Sequence, residues 1–227
     1  MLNETVKKVM KASAMETIVN LKKNKIDAYY VEKKEDVAAQ VKALLKKGET
    51  VSFGGSMTLF ETGVMDLLQN GDYHLLDRNA KGLKREDIAE IYRKSFYADT
   101  YLASANAITR HGEIYEVDGT GNRVAAITWG PKQVILIAGI NKLTPDLKTA
   151  IERVKNIACP SNATRLNANT SCTKTGHCIN PHCTENNLMA LNAGSCPNSL
   201  CSISTVFSHQ LQEFRIKVII TGDNLGF

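Results

Sequence analysis

Three stretches combine reactive or anion-binding side chains with turn-forming spacing. The first is Gly54-Gly55-Ser56, which follows the run Thr50-Val51-Ser52-Phe53 and precedes an apolar helical pattern from Met57 to Leu68. A strand, a glycine pair, a serine and a helix together aim backbone N–H groups at an anion, and the glycines let a ligand approach the chain closely. Ser56 is placed to cap that helix, and Glu61 falls in its first or second turn. The second stretch is Asp118-Gly119-Thr120-Gly121-Asn122-Arg123, a run of turn formers that suggests positive-φ backbone and ends on a cation. The third is Asn141-Lys142, just past Val134-Ile135-Leu136-Ile137-Ala138-Gly139. An apolar run of that kind reads as a strand covered on both faces, the mark of a central strand in a parallel sheet. Open α/β sheets hold their ligands at the carboxyl ends of such strands.

If the three stretches converge there, Asn106, Asp118, Arg123, Asn141 and Lys142 join Gly54 to Ser56 around one pocket. Such a pocket suits a small anion: a 2-hydroxy acid, an acyl group or a phosphosugar. Lys142 or Arg123 would neutralise the carboxylate or phosphate, arginine doing so bidentately. Glu61 or Asp118 would serve as a base where burial lifts its pKa toward neutrality. Each residue also has a plainer role. Glu61 can complement the helix macrodipole, Asp118 and Asn122 can simply form turns, Arg123 can pair at the surface, and Lys142 can be solvated.

All six cysteines fall between Cys159 and Cys201. Cys172, Cys178, Cys183 and Cys201, with His177, His182 and Cys196 as alternates, supply enough nitrogen and sulfur for tetrahedral zinc or an iron–sulfur cluster. The spacings C-x5-C and C-x4-C are not the tight C-x2-C knuckle, so structural thiols, or a pair that oxidises on exposure, are the alternative. Residues 159–201 are rich in Asn, Thr, Ser and Cys, and 159–213 is expected to form a loop-rich insertion whose order depends on its cysteines.

These stretches need a scaffold to position them. At 227 residues, 43% hydrophobic and 22% charged, the chain fits one domain with a sizeable core. No run approaches the length of a membrane span, and the first residues carry no secretory h-region, so a cytoplasmic location and no membrane contact are expected. The net charge is +5, with much of the lysine in the first 50 residues. No arginine precedes Arg78, and Tyr29 and Tyr30 are the only aromatics in that region, which argues against a nucleic-acid surface. Periodicity predicts helices over 2–23, from 35 or 36 to a stop at Gly48, over 57–68, within 77–95 and over 145–157. Strands are expected at Ile26–Val31, Thr50–Phe53, Tyr73–Leu76, Tyr101–Ala103, Ile114–Val117, Val134–Gly139 and Phe214–Gly222, with a hairpin turn at His111-Gly112. This alternation is that of an α/β fold with a mostly parallel sheet.

Several motifs, in order, resemble the LUD (lactate-utilization) domain family. They are Gly54-Gly55-Ser56-Met57-Thr58-Leu59 with Glu61 and Gly63, Asp118-Gly119-Thr120-Gly121-Asn122-Arg123-Val124-Ala125, and Gly139-Ile140-Asn141-Lys142. Ala158-Cys159-Pro160, Arg165-Leu166 and Gly222-Asp223-Asn224-Leu225-Gly226-Phe227 extend the likeness over nearly the whole chain. The resemblance implies a three-layer α/β/α sandwich of the NagB/RpiA/CoA-transferase-like kind, here a single domain over 1–227 with the Cys-rich insertion at 159–213. It implies a place in L-lactate oxidation beside iron–sulfur partner subunits, with Thr58 among the ligand-binding residues and a homo-oligomer left open. The alternative, drawn from the fold's other relatives, is a stand-alone enzyme acting on an acyl or phosphorylated small molecule. The chain departs from close relatives in its cysteines: they read C-x5-C-x2-C, whereas here four residues separate Cys178 from Cys183.

Overall fold

The computed structural model describes residues 3–180, 196 and 198–227. Six parallel strands form the main sheet: β1 (Asp27–Val31), β2 (Thr50–Phe53), β3 (His74–Leu76), β4 (Thr100–Ser104), β7 (Gln133–Gly139) and β10 (Ile216–Thr221). Their order is β1-β10-β7-β4-β2-β3. The run 134–139 is central, in register with β10 on one side (Leu136 opposite Val218) and β4 on the other (Leu136 opposite Ala103). Alternate side chains of these strands build two cores. Tyr101, Ala103, Val134, Leu136, Ala138, Val218 and Ile220 pack on Ala14, Ile18 and Leu21 of α1 (Glu4–Lys23). Leu102, Ile135, Ile137 and Ile219 pack on α2 (Val37–Leu44), α3 (Met57–Glu61) and α4 (Val64–Asn70). Burial on both faces is why these strands are almost wholly apolar.

A second sheet, in the order β8-β5-β6-β9, stands beside the first. It comprises β5 (Ala107–Thr109), β6 (Ile114–Asp118), β8 (Leu143–Thr144) and β9 (Ile203–Phe207). The expected hairpin is β5–β6, closed at Gly112 with φ +83. Ile108 and Ile114 face the α1 core. Ala107, Tyr115 and Val117 face Ala150, Ile151 and Val154 on α7 (Leu147–Arg153) and the π-turn Val154–Ala158 after it. The short helix α6 (Asn122–Thr128) follows β6, and α5 (Arg85–Lys94) precedes β4.

Local chemistry explains where elements depart from the expected ranges. The helix over 57–68 is two helices, because Gly63 takes φ +68 and Thr62 turns its hydroxyl to the Thr58 carbonyl at 2.8 Å. Within 77–95 the helix starts only at Arg85, where Asp87 accepts from the Lys84 N–H. Val6 and Val9, the N-terminal part of the α1 stripe, are exposed. The segment expected to be loop-rich carries regular structure at both ends. Residues Cys159–Arg165 form α8, continuous with α7 through the π-turn, and Ile203–Phe207 pair with β6. Between them lies the five-residue α9 (Ser171–Thr175). His182 and Cys183 fall outside the described residues. No helix among the described residues is long and apolar enough to cross a membrane.

Candidate functional site

Because all six strands of the main sheet are parallel, the loops after them emerge at one edge. Gly55, Ser56 and Thr58 follow β2, Arg78 follows β3, Ser104 ends β4 and Asn106 follows it, Lys142 follows β7, and Gly226 and Phe227 follow β10. These residues line one pocket of about 310 Å³, which also takes in Asp118, Gly119, Thr120, Asn122 and Arg123 from the turn between β6 and α6. Arg78, Arg123, Lys142 and Arg165 line it against a single acidic side chain, Asp118. Arg123 is matched by Glu116 behind the wall, which leaves Arg78, Lys142 and Arg165 facing Asp118.

Lys142 is only 4% exposed. It sits in the 3-10 turn Ile140–Lys142, and its Nζ donates to Ser104 Oγ at 2.7 Å and Thr58 Oγ1 at 3.3 Å. No carboxylate among the described residues lies within ion-pair distance of that ammonium. Burial, with Arg153 and Arg123 adding to it and the more distant Glu116 and Glu61 opposing it, pulls its pKa down to about 8. The turn itself is fixed from behind: Arg153 donates to the carbonyls of Asn141 at 2.8 Å and Asn106 at 2.7 Å, tying the loops after β7 and β4 together.

Arg123 is spent inside the wall. Its guanidinium pairs with Glu116, fully buried on β6, and donates to Asn106 Oδ1 at 3.0 Å, Val117 O at 2.7 Å and Ser104 O at 3.3 Å. Burial lifts the Glu116 carboxyl, and burial alone would lower Arg123, but Glu116 and Asp118 outweigh it and hold the arginine proton on. The guanidinium thus has four acceptors, while the second Glu116 oxygen, Oε1, has no hydrogen-bond partner among the described residues. Gly54 lies behind this pair. A Cβ there would meet Tyr101 Oη at 2.9 Å and Arg123 Cδ at 3.1 Å, so its missing side chain leaves room for the arginine.

The two acidic candidates hold backbone. Asp118 accepts from the N–H groups of Gly119 (2.9 Å), Arg123 (3.0 Å) and Val124 (3.1 Å), which caps α6 after the positive-φ Gly121. Glu61 is exposed and accepts from Gly226 N–H at 2.8 Å. Asn141 makes the complementary clasp, accepting from Leu225 N–H at 3.0 Å and donating to Leu225 O at 3.3 Å. Glu61 and Asn141 therefore fasten the segment that supplies Gly226 and Phe227 to the pocket. Gly54, Gly121, Asn141 and Glu61 do not line the pocket themselves. Thr120 donates to Asn122 Oδ1 at 2.6 Å on the rim, and Ser56 Oγ, expected to cap α3, is buried with no hydrogen-bond partner among the described residues.

Sequence reasoning did not assign Ser104, Arg78, Tyr92 or Arg165 to the site. Ser104 and Arg78 sit at or just after strand ends, the signal that found Lys142. Arg78 stacks over the Tyr92 ring at 4.9 Å, a contact between distant segments with no local signature. Of the cysteines, Cys159 lines this pocket and also, with Cys172, Cys178, Cys196 and Cys201, a separate one.

A model of the LUD domain matches residues 14–221. No curated protein matches the chain. Among solved structures, a DUF162 family protein from Deinococcus radiodurans is similar over 97% of this chain and 99% of its own, at 11% identity and a TM-score of 0.49. Ribose 5-phosphate isomerase A from Neisseria gonorrhoeae is similar over 83% of this chain and 91% of its own, at 12% identity and a TM-score of 0.41. For eIF2B beta from Chaetomium thermophilum the shares are 51% and 44%, at 15% identity and a TM-score of 0.36.

Proposed function

The chain belongs to the LUD domain family, and from that premise we propose that its strand-end pocket binds a small organic anion, a 2-hydroxy acid such as lactate. The observation that carries the reading is Lys142, a buried ammonium facing a 310 Å³ pocket with hydroxyls but no carboxylate at its Nζ. A buried charge with no carboxylate in contact is costly, and a ligand carboxylate would supply one. Ser104, Thr58 and the unpartnered Ser56 hydroxyl offer hydrogen bonds to the ligand's remaining oxygens. Asp118, Glu61 and Asn141 shape the pocket, and Lys142, with a pKa of about 8, is the group that holds or moves a proton near neutral pH. Oxidation of a 2-hydroxy acid releases two electrons. In the lactate-utilization setting that the family resemblance implies, iron–sulfur partner subunits would accept them.

A second reading, a stand-alone enzyme on an acyl or phosphorylated small molecule, is favoured by one feature. A three-carbon acid fills only part of about 310 Å³, and Arg78 and Arg165 add cationic groups that such an acid does not need.

Thermal-shift titration with L-lactate, pyruvate, inorganic phosphate, a sugar phosphate and acetyl-CoA tests both. A ligand at about 100 times its Kd stabilises the fold by about 2.7 kcal/mol, enough to read clearly. Stabilisation by the 2-hydroxy acid, lost in Lys142→Met, is expected on the first reading. Stabilisation by phosphorylated or acyl ligands alone supports the second, and no response to any anion overturns both.

A further inference from the structure

Beside the anion pocket lies a smaller cavity of about 40 Å³, lined by Cys159, Cys172, Cys178, Cys196 and Cys201. All five are free thiols, and no three His, Cys, Asp or Glu side chains among the described residues stand close enough to share a metal ion. Cys172, Cys178 and Cys201, expected to hold zinc or a cluster, therefore do not converge on one, and Cys183 lies outside the described residues. Two sulfurs do meet. The Sγ of Cys201 stands 3.1 Å from that of Cys159, although the two residues are 42 apart in sequence.

The fold holds both members of the pair. Cys159 opens α8 directly after the π-turn. The Cys201 N–H donates to Ser199 Oγ at 2.9 Å, the Ser202 N–H donates to Asp118 O at 2.9 Å, and β9 then pairs with β6. Both cysteines pack against the cluster of Ala150, Ile151 and Val154. Both are partly exposed, and Cys159 also lines the anion pocket, so a small reagent can reach the pair. The Cys172 sulfur, by contrast, is engaged with Thr170 Oγ1 at 3.2 Å.

We propose that Cys159 and Cys201 form a redox-active dithiol site, which a hydroperoxide converts to an intramolecular disulfide and small thiols restore. One sulfur attacks a peroxide oxygen, the O–O bond breaks, and a sulfenic acid forms as the alcohol or water leaves. The other sulfur attacks the sulfenic sulfur, and its proton leaves with the hydroxyl as water. In total the two thiols give up two electrons and two protons, and the hydroperoxide becomes an alcohol and water. Holding the second sulfur in contact makes that closing step intramolecular and therefore fast. Two small thiols reverse it by exchange, leaving as their own disulfide. The bridge would tie α8 to the segment of Leu200, and both line the anion pocket. A Cβ on Gly119, in the turn that supplies Asp118, would lie 3.3 Å from Leu200 O, so the tie reaches that turn as well. The inference does not rest on what the anion pocket binds.

The test uses the full chain, reduced and then exposed to stoichiometric hydrogen peroxide. Alkylation of the remaining thiols and peptide mass mapping read which cysteines are linked. Cys159–Cys201 should be the first link to form, within one chain, and Cys172→Ser should leave it unchanged. In glutathione buffers its oxidised fraction should follow the ratio of disulfide to thiol in both directions. Cys159→Ser and Cys201→Ser should each abolish it. If a serine variant fails to fold, melting of the wild-type chain decides: closing a loop of this length should raise Tm by ~5–10 °C over the reduced form. Cys159 and Cys201 both still open to alkylation after other cysteines have been linked overturns the proposal. So does a bridge that thiols do not reverse, or one that lowers Tm.

Discussion

Replacing Lys142 by methionine keeps most of the side chain's volume and removes its charge, and the surroundings set the sign of the result. Folding carries Lys142 from water, where its pKa is 10.5, to a site where burial and then Arg153 bring it to about 8. Near neutral pH the lysine is charged in both states, so the folded state carries the whole desolvation penalty. At 1.36 kcal/mol per pH unit, the interval between the two values amounts to about 3 kcal/mol. Methionine forfeits the bonds to Ser104 and Thr58, whose hydroxyls keep their mutual 3.3 Å hydrogen bond, at a cost of about 1 kcal/mol. Ligand-free Lys142→Met should therefore be more stable than wild type by about 2 kcal/mol at roughly pH 7, or about 4–8 °C in Tm for a chain of this size. Between about pH 8 and 10.5 the unfolded wild-type chain holds more protons than the folded one, so wild-type stability climbs with pH and the difference closes and then reverses. Urea denaturation of both proteins along a pH series measures this, and subtraction cancels every other titrating group. A methionine variant that is less stable at neutral pH by an amount independent of pH refutes the reasoning.

Arg123→Met should cost ~3–5 kcal/mol by stranding the buried Glu116 carboxylate, and adding Glu116→Gln should recover most of it, both read from urea midpoints. Asn141→Ala removes both bonds to Leu225, so amide exchange at Leu225 and Gly226 should speed up about tenfold while the sheet amides keep their protection. Gly54→Ala forces a Cβ against Tyr101 Oη and Arg123 Cδ and should lower stability by ~1–3 kcal/mol, measured by thermal melting.

The strands of the main sheet could be read in advance because two-sided burial leaves a strong mark, as in Val134–Gly139. The strand-end rule then put Lys142, Asn106, Gly55 and Ser56 at one edge of the sheet without any contact being known. What stayed hidden depends on tertiary partners. Glu116 sits in an alternating strand, and nothing local says that both faces of β6 are covered, by the first sheet on one side and α7 on the other. Glu61 and Asn141 looked like pocket groups because they lie at the correct edge, but each is claimed by backbone from residues 225–226, far away in sequence. Cys159–Arg165, with the sequence Cys-Pro-Ser-Asn-Ala-Thr-Arg, has poor helix propensity and is helical because α7 runs into it through the π-turn. Ile203–Phe207 has Ser and Thr at two of its three interior positions and gains its strand only by pairing with β6.

Calorimetric titration of the wild-type chain with L-lactate and with inorganic phosphate, from about pH 7 to 9.5, asks whether the buried ammonium is what receives the anion. Affinity should be level below the Lys142 pKa of about 8 and should fall beyond it, approaching tenfold per pH unit. Above that pH, binding should take up a proton, seen as a heat that varies with the buffer's ionisation enthalpy. An affinity that stays flat across the range and is unchanged in Lys142→Met would contradict the proposed site.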